Sequence, residues 1–69
     1  MSVVANNARA FLQDFGLKQK AVAKKAGYSE GQFSALLCGR KRMGSEDVVK
    51  IANALGVTPN DLYGIKTKS

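Results

Sequence analysis

"QKAVAKKAGYSEGQFSALLCGRKR", residues 19 to 42, joins two short amphipathic stretches through Gly27 and ends in three consecutive basic residues. Its second half looks weak as a helix, because Gly31 falls in the opening turns and glycine in a helix interior costs about 1 kcal/mol relative to alanine. The local signals nonetheless predict one. Ser29 is followed three residues later by Gln32, an S-x-x-Q capping box, and Phe33, Leu36 and Leu37 then supply a buried face before Gly39 stops the run. Ahead of the turn, about Lys18 to Ala26 reads as a short helix with Ala21, Val22 and Ala26 as candidates for its core face and Gly27 as its stop.

Upstream, Val4, Ala8, Phe11, Leu12 and Phe15 fall at i, i+4, i+7, i+8 and i+11, one apolar stripe that Gly16 terminates. Downstream, Ser45 is expected to cap a helix whose Val48, Ile51, Ala52 and Leu55 share a face, with Glu46 and Asp47 suited to the positive end of its dipole and Gly56 at its end. Thr58 as N-cap, Pro59 at the first helical position and Asp61 at the third open a last short helix through Leu62 and Tyr63, before Gly64. The expected architecture is all-α: one compact five-helix domain over residues 1–69, with a core at 3–64 and a basic tail at 65–69.

A chain of 69 residues lies near the lower limit for burying enough apolar surface to fold alone, so its stability is expected at roughly 3–5 kcal/mol. Cys38 is the only cysteine and there is no histidine, which excludes an internal disulfide and leaves no thiolate or imidazole set for zinc. Cys38 itself reads as a small packed or half-exposed thiol. The N-terminus has no basic region followed by an apolar run, and the longest uninterrupted apolar stretch is Ala35 to Cys38, so neither export nor membrane spanning is expected and the chain reads as cytoplasmic.

Charge is uneven along the chain. Lys18, Lys20, Lys24, Lys25, Arg40, Lys41 and Arg42 oppose Glu30 alone between residues 18 and 42, giving 7 − 1 = +6, the whole net charge. The remainder carries four basic and four acidic residues and sums to zero. A polyanion is the partner such a segment fits.

The joint between the two helices of the quoted stretch makes size demands that the sequence meets. Ala23 is small enough for the next helix to cross closely, Gly27 can take a left-handed turn, and Val22, Ala26, Tyr28, Phe33 and Leu36 can close the wedge. With "GLKQKAVAKKAG", "YSEGQFSALLCGRKR" and "VVKIANALGVTPNDLY" in this order, the stretch from Leu17 to Tyr63 resembles the phage Cro/CI repressor type of helix-turn-helix, the lambda-repressor-like fold. The chain differs from the family's usual pattern at Lys18, where Ser or Thr is common, and at Cys38, where Asn or Glu is common.

The resemblance implies a partner and a set of roles. The partner is a double-stranded DNA operator. Gln19 stands where the family anchors a phosphate, beside Lys18, and the family's base-reading positions correspond to Ser29, Glu30, Gly31, Gln32, Ser34 and Ala35. Gly31 would permit close approach to a base edge, Gln32 could bond adenine or cap its own helix, and Glu30 could accept from cytosine or pair with a lysine of the preceding helix. Arg40, Lys41 and Arg42 would reach flanking phosphates, while Lys24 and Lys25 act as steering charges. The family pairs through its C-terminal part, where Val57, Leu62, Tyr63 and Ile65 leave a small patch, so a weak homodimer is expected. The chain is thus expected to be a small Cro-like repressor that needs no cofactor. The alternative is a protein-interaction module, an antirepressor or antitoxin reusing the fold. No nucleophile with its base, phosphate-binding glycine loop or acid/base carboxylate pair is evident, so no enzyme is expected.

Overall fold

Five helices follow one another in a computed structural model of the chain, which describes residues 3–64: α1 (Val3–Asp14), α2 (Gln19–Ala26), α3 (Glu30–Leu37), α4 (Ser45–Leu55) and α5 (Pro59–Tyr63). Among the described residues there is no strand. Helix starts follow side-chain caps at α3 and α5. Thr58 Oγ1 accepts from Asp61 N at 3.2 Å and Asp61 Oδ2 accepts from Thr58 N at 2.9 Å, with Pro59 pre-set at the first helical position as the sequence predicts.

The helices close on one core. α2 packs against α3 and α4, α1 against α5, and α1 also touches α3 and α4. Phe33, Leu36, Leu37, Ile51 and Leu62 are the largest fully buried side chains, so the apolar face of α3 sits at the centre of the domain. Each such side chain contributes about 1.5–3 kcal/mol by leaving water. α3 is therefore held by its neighbours, and a glycine in its first turn is tolerable. Asn7 Nδ2 donates to the Leu62 carbonyl at 2.8 Å, fixing α5 to α1.

Four expectations need correction. The N-cap of α4 is Gly44, and Ser45 is its first helical residue. A cap at Ser45 would put Val48 at the third position, with no side-chain acceptor, whereas Gly44 places Asp47 there and Asp47 Oδ2 accepts from Gly44 N at 2.9 Å. Ala21 is exposed and Ala23 is the buried alanine of α2. Phe15 lies beyond the last residue of α1, remains 49% exposed, and stacks on Phe11 with ring centroids 5.4 Å apart. Cys38 is exposed. The tail at 65–69, including Ile65, lies outside the described residues.

Candidate nucleic-acid interface

Three residues, Gly27 to Ser29, make the turn between α2 and α3. Gly27 takes φ 88°, a left-handed conformation that side chains disfavour, and Tyr28 N then donates to the Ala23 carbonyl at 2.8 Å. Val22, Ala23, Phe33 and Leu36 are buried in the wedge, with Ala26 and Tyr28 packed partly against it. The tightness of the joint follows from glycine at the turn and alanine at the crossing.

The first turn of α3 is the exposed end of this unit. Ser29 Oγ accepts from Gln32 N at 3.1 Å and Gln32 Oε1 accepts from Ser29 N at 3.0 Å, so the capping box is formed. Glu30 and Gly31 are exposed, and a Cβ built on Gly31 would meet nothing within 4 Å. No packing among the described residues requires glycine there. Ser34 and Ala35 are half-buried on the next turn. The Glu30 carboxylate pairs with no lysine among the described residues, which sets aside an ion pair with α2.

At the other end, Gly39 with φ 80° turns the chain away from α3. The Ala35 carbonyl accepts from both Arg40 N at 3.0 Å and Lys41 N at 3.2 Å. Arg40, Lys41 and Arg42 are exposed, Met43 packs partly against the core, and Gly44 N is held by Asp47. The basic loop is short and tied at both ends. Lys18 is the N-cap residue of α2 but offers no side-chain acceptor, so the first-turn N–H groups beside half-buried Gln19 lack a side-chain cap.

Tyr28 and Asp47 form a contact that the sequence does not announce. The Tyr28 hydroxyl donates to Asp47 Oδ1 across 19 positions, its ring stacks on Phe33 with centroids 6.2 Å apart, and the Lys50 ammonium lies 5.6 Å from its ring centroid. Burial, followed by the bond to Asp47, raises the Tyr28 phenol above its ordinary value of 10.0. The Asp47 carboxyl is lowered, first by the Tyr28 bond and then by the Gly44 N–H. By sequence pattern Tyr28 belongs to the wedge and Asp47 to the helix dipole. The only local signal for more was the Gly44-x-x-Asp47 spacing, which reveals half of the arrangement.

Two helices locked by a tight turn, the second presenting a capped, open first turn and leaving through a basic loop, define a helix-turn-helix. The chain belongs to the family of Cro/C1-type HTH DNA-binding domains, whose family model matches residues 9–68. It is thus a DNA-binding domain of the lambda-repressor-like class, as the quoted motifs imply. Neither the curated proteins nor the solved structures searched give a match. Among the described residues, no helix is long and apolar enough to cross a membrane.

Proposed function

We propose that the chain is a sequence-specific regulator of transcription, a small Cro-like repressor that binds double-stranded operator DNA. The observation that carries this reading is the first turn of α3: capped by its own side chains, open over Gly31, and followed by a tethered loop of three exposed cations. A helix of this kind fits the major groove, with its N-terminal residues toward base edges and the basic loop on phosphates. The readers are Ser29, Glu30, Gly31, Gln32 and Ser34; the phosphate ligands are Lys18, Gln19, Arg40, Lys41 and Arg42. The uncapped start of α2 supports the phosphate role, because backbone N–H groups at a helix N-terminus favour an anion.

The cap narrows what Gln32 can read. A bidentate adenine contact needs the amide oxygen as acceptor and the NH2 as donor, but Oε1 is already engaged by Ser29 N. With the cap intact, one of the two Oε1 lone pairs is taken, and the NH2 donors are the unengaged part of the amide. Gln32 then selects acceptor edges, guanine O6 and N7 or thymine O4. Glu30 has no partner among the described residues and stands close to where phosphates would lie, so its place is opposite a cytosine N4 donor or in solvent.

Selection of bound sequences from a random pool of duplex DNA tests the reading. The expected result is a short motif containing a guanine or thymine whose selection depends on Gln32. Recovery of unenriched DNA overturns sequence-specific regulation in favour of a protein-interaction module.

A further inference from the structure

We propose that Asp47 is a positioning residue for DNA binding: its carboxylate ties together the entry and the exit of the recognition segment, accepting from the Tyr28 hydroxyl on one oxygen and from Gly44 N on the other. The inference rests on the DNA-binding reading above and assigns a role to two residues outside the proposed contact set. Tyr28 directly precedes Ser29, the cap of α3, and Gly44 directly follows the loop that carries Arg40, Lys41 and Arg42. The two are 44 − 28 = 16 positions apart, and everything between them is recognition helix or basic loop. One carboxylate therefore closes that segment into a ring. The start of the loop is already fixed, since the Ala35 carbonyl holds Arg40 N and Lys41 N, so Asp47 supplies the missing anchor at its far end.

The ring matters because an unanchored loop of arginine and lysine must be ordered when it meets phosphate. That ordering entropy is charged against affinity unless the free protein has already met it. Asp47 also faces Lys41 and Lys50, and Tyr28 faces Glu46 as well, so the carboxylate lies in the electrostatic reach of the loop it anchors. Simple charge counting and positioning therefore predict opposite signs. Removing a negative charge next to a phosphate-binding loop should tighten DNA binding if Asp47 acts only through its charge. Removing the anchor should weaken it.

The experiment compares wild type, Asp47→Ala, Asp47→Asn and Tyr28→Phe in the full chain. Binding to the selected duplex is measured across a salt series, at a temperature where circular dichroism shows every variant folded. Asp47→Ala and Tyr28→Phe are each expected to bind about three- to tenfold more weakly, the range for losing one hydrogen bond that pre-orders the loop. Their salt slopes should match wild type, because the same phosphates are engaged once bound. Asp47→Asn keeps an acceptor for Gly44 N and can donate to the Tyr28 oxygen, so it should bind close to wild type. Amide hydrogen exchange at Gly44 should speed up in Asp47→Ala and not in Asp47→Asn. Unchanged or tighter binding by folded Asp47→Ala overturns the proposal, as does Tyr28→Phe binding like wild type. Wild-type protein that binds no DNA even at low salt overturns the functional reading, and this proposal with it.

Discussion

Ser29 and Gln32 cap each other: Ser29 Oγ accepts from Gln32 N at 3.1 Å while Gln32 Oε1 accepts from Ser29 N at 3.0 Å. Two of the five residues proposed to meet base edges are thus bonded to one another through their side chains in the free protein. Stability and recognition share the same atoms, and a mutation can separate them because capping uses the oxygen of Gln32 while reading uses its NH2.

Gln32→Glu makes that separation. Glutamate is equally suited to the third position of a capping box, so thermal stability should stay within about 0.5 kcal/mol of wild type. The donors are gone, however, and a guanine or thymine preference at one position should disappear, with about 1–3 kcal/mol lost there. Gln32→Ala should lose both, including about 1 kcal/mol of stability. Melting curves and selected sequences for the two variants check this; an unaltered motif in Gln32→Glu shows that Gln32 is a cap alone.

Gly31→Ala should move stability and binding in opposite directions. The position is helical and open, so alanine is expected to stabilise the free domain by about 1 kcal/mol. If the glycine serves close approach to a base edge, the same methyl group weakens specific binding. Chemical denaturation and titration of the selected duplex measure both. A more stable variant with unchanged affinity assigns Gly31 to mere tolerance at an exposed site.

Much of this fold is legible because its signals are local. The stops at Gly16, Gly27, Gly39, Gly56 and Gly64 all take positive φ, and the boxes at Ser29 and Thr58 lie within four residues. Errors arise where two local readings compete. Ser45 looked like the better cap by residue type, but the reciprocal bond from Asp47 selects Gly44. Phe15 continued the apolar stripe on paper, yet α1 ends at Asp14 before the stripe can carry it inward. The contact from Tyr28 to Asp47 was not legible at all, since 19 positions of chain must fold before hydroxyl meets carboxylate.

That contact should give the domain a characteristic pH dependence. The Asp47 carboxyl is lowered from its ordinary 3.8 in the folded chain, so its contribution is present above that value and is lost as pH falls through the folded one. Tyr28 is raised above 10.0, so its contribution is present below that and is lost as pH climbs beyond it. Melting temperatures of wild type and Tyr28→Phe between about pH 2 and pH 11 are expected to differ most at neutral pH, to draw together as pH falls below 3.8, and to begin narrowing above pH 10. A constant difference across the range contradicts the coupling.

Salt dependence tests the loop cations. Log K for DNA should fall linearly with log salt at about 0.9 per phosphate neutralised. Lys41→Ala should flatten the slope by about one and weaken specific and non-specific DNA alike, because a phosphate contact carries no sequence information. A slope near zero for the intact protein removes the basis for phosphate anchoring.

Assembly on DNA follows from size. One helix-turn-helix covers few base pairs, so choosing one operator among genomic competitors calls for a second copy. The domain measures 35 × 23 × 18 Å, compatible with two copies side by side on one face of B-DNA at half-sites about 34–36 Å apart. The described C-terminal surface offers little to hold them together: Leu62 is fully buried, Val57 is half-buried, and Tyr63, at 46% exposure, is the one large apolar side chain of α5 facing solvent. A weak homodimer is expected, mostly monomeric at low micromolar concentration and paired by a palindromic site. Analytical ultracentrifugation with and without the selected duplex decides it. Two protomers bound cooperatively, with binding weakened by Tyr63→Ala, support pairing through α5, whereas one protomer on an asymmetric site shows that the domain reads DNA alone.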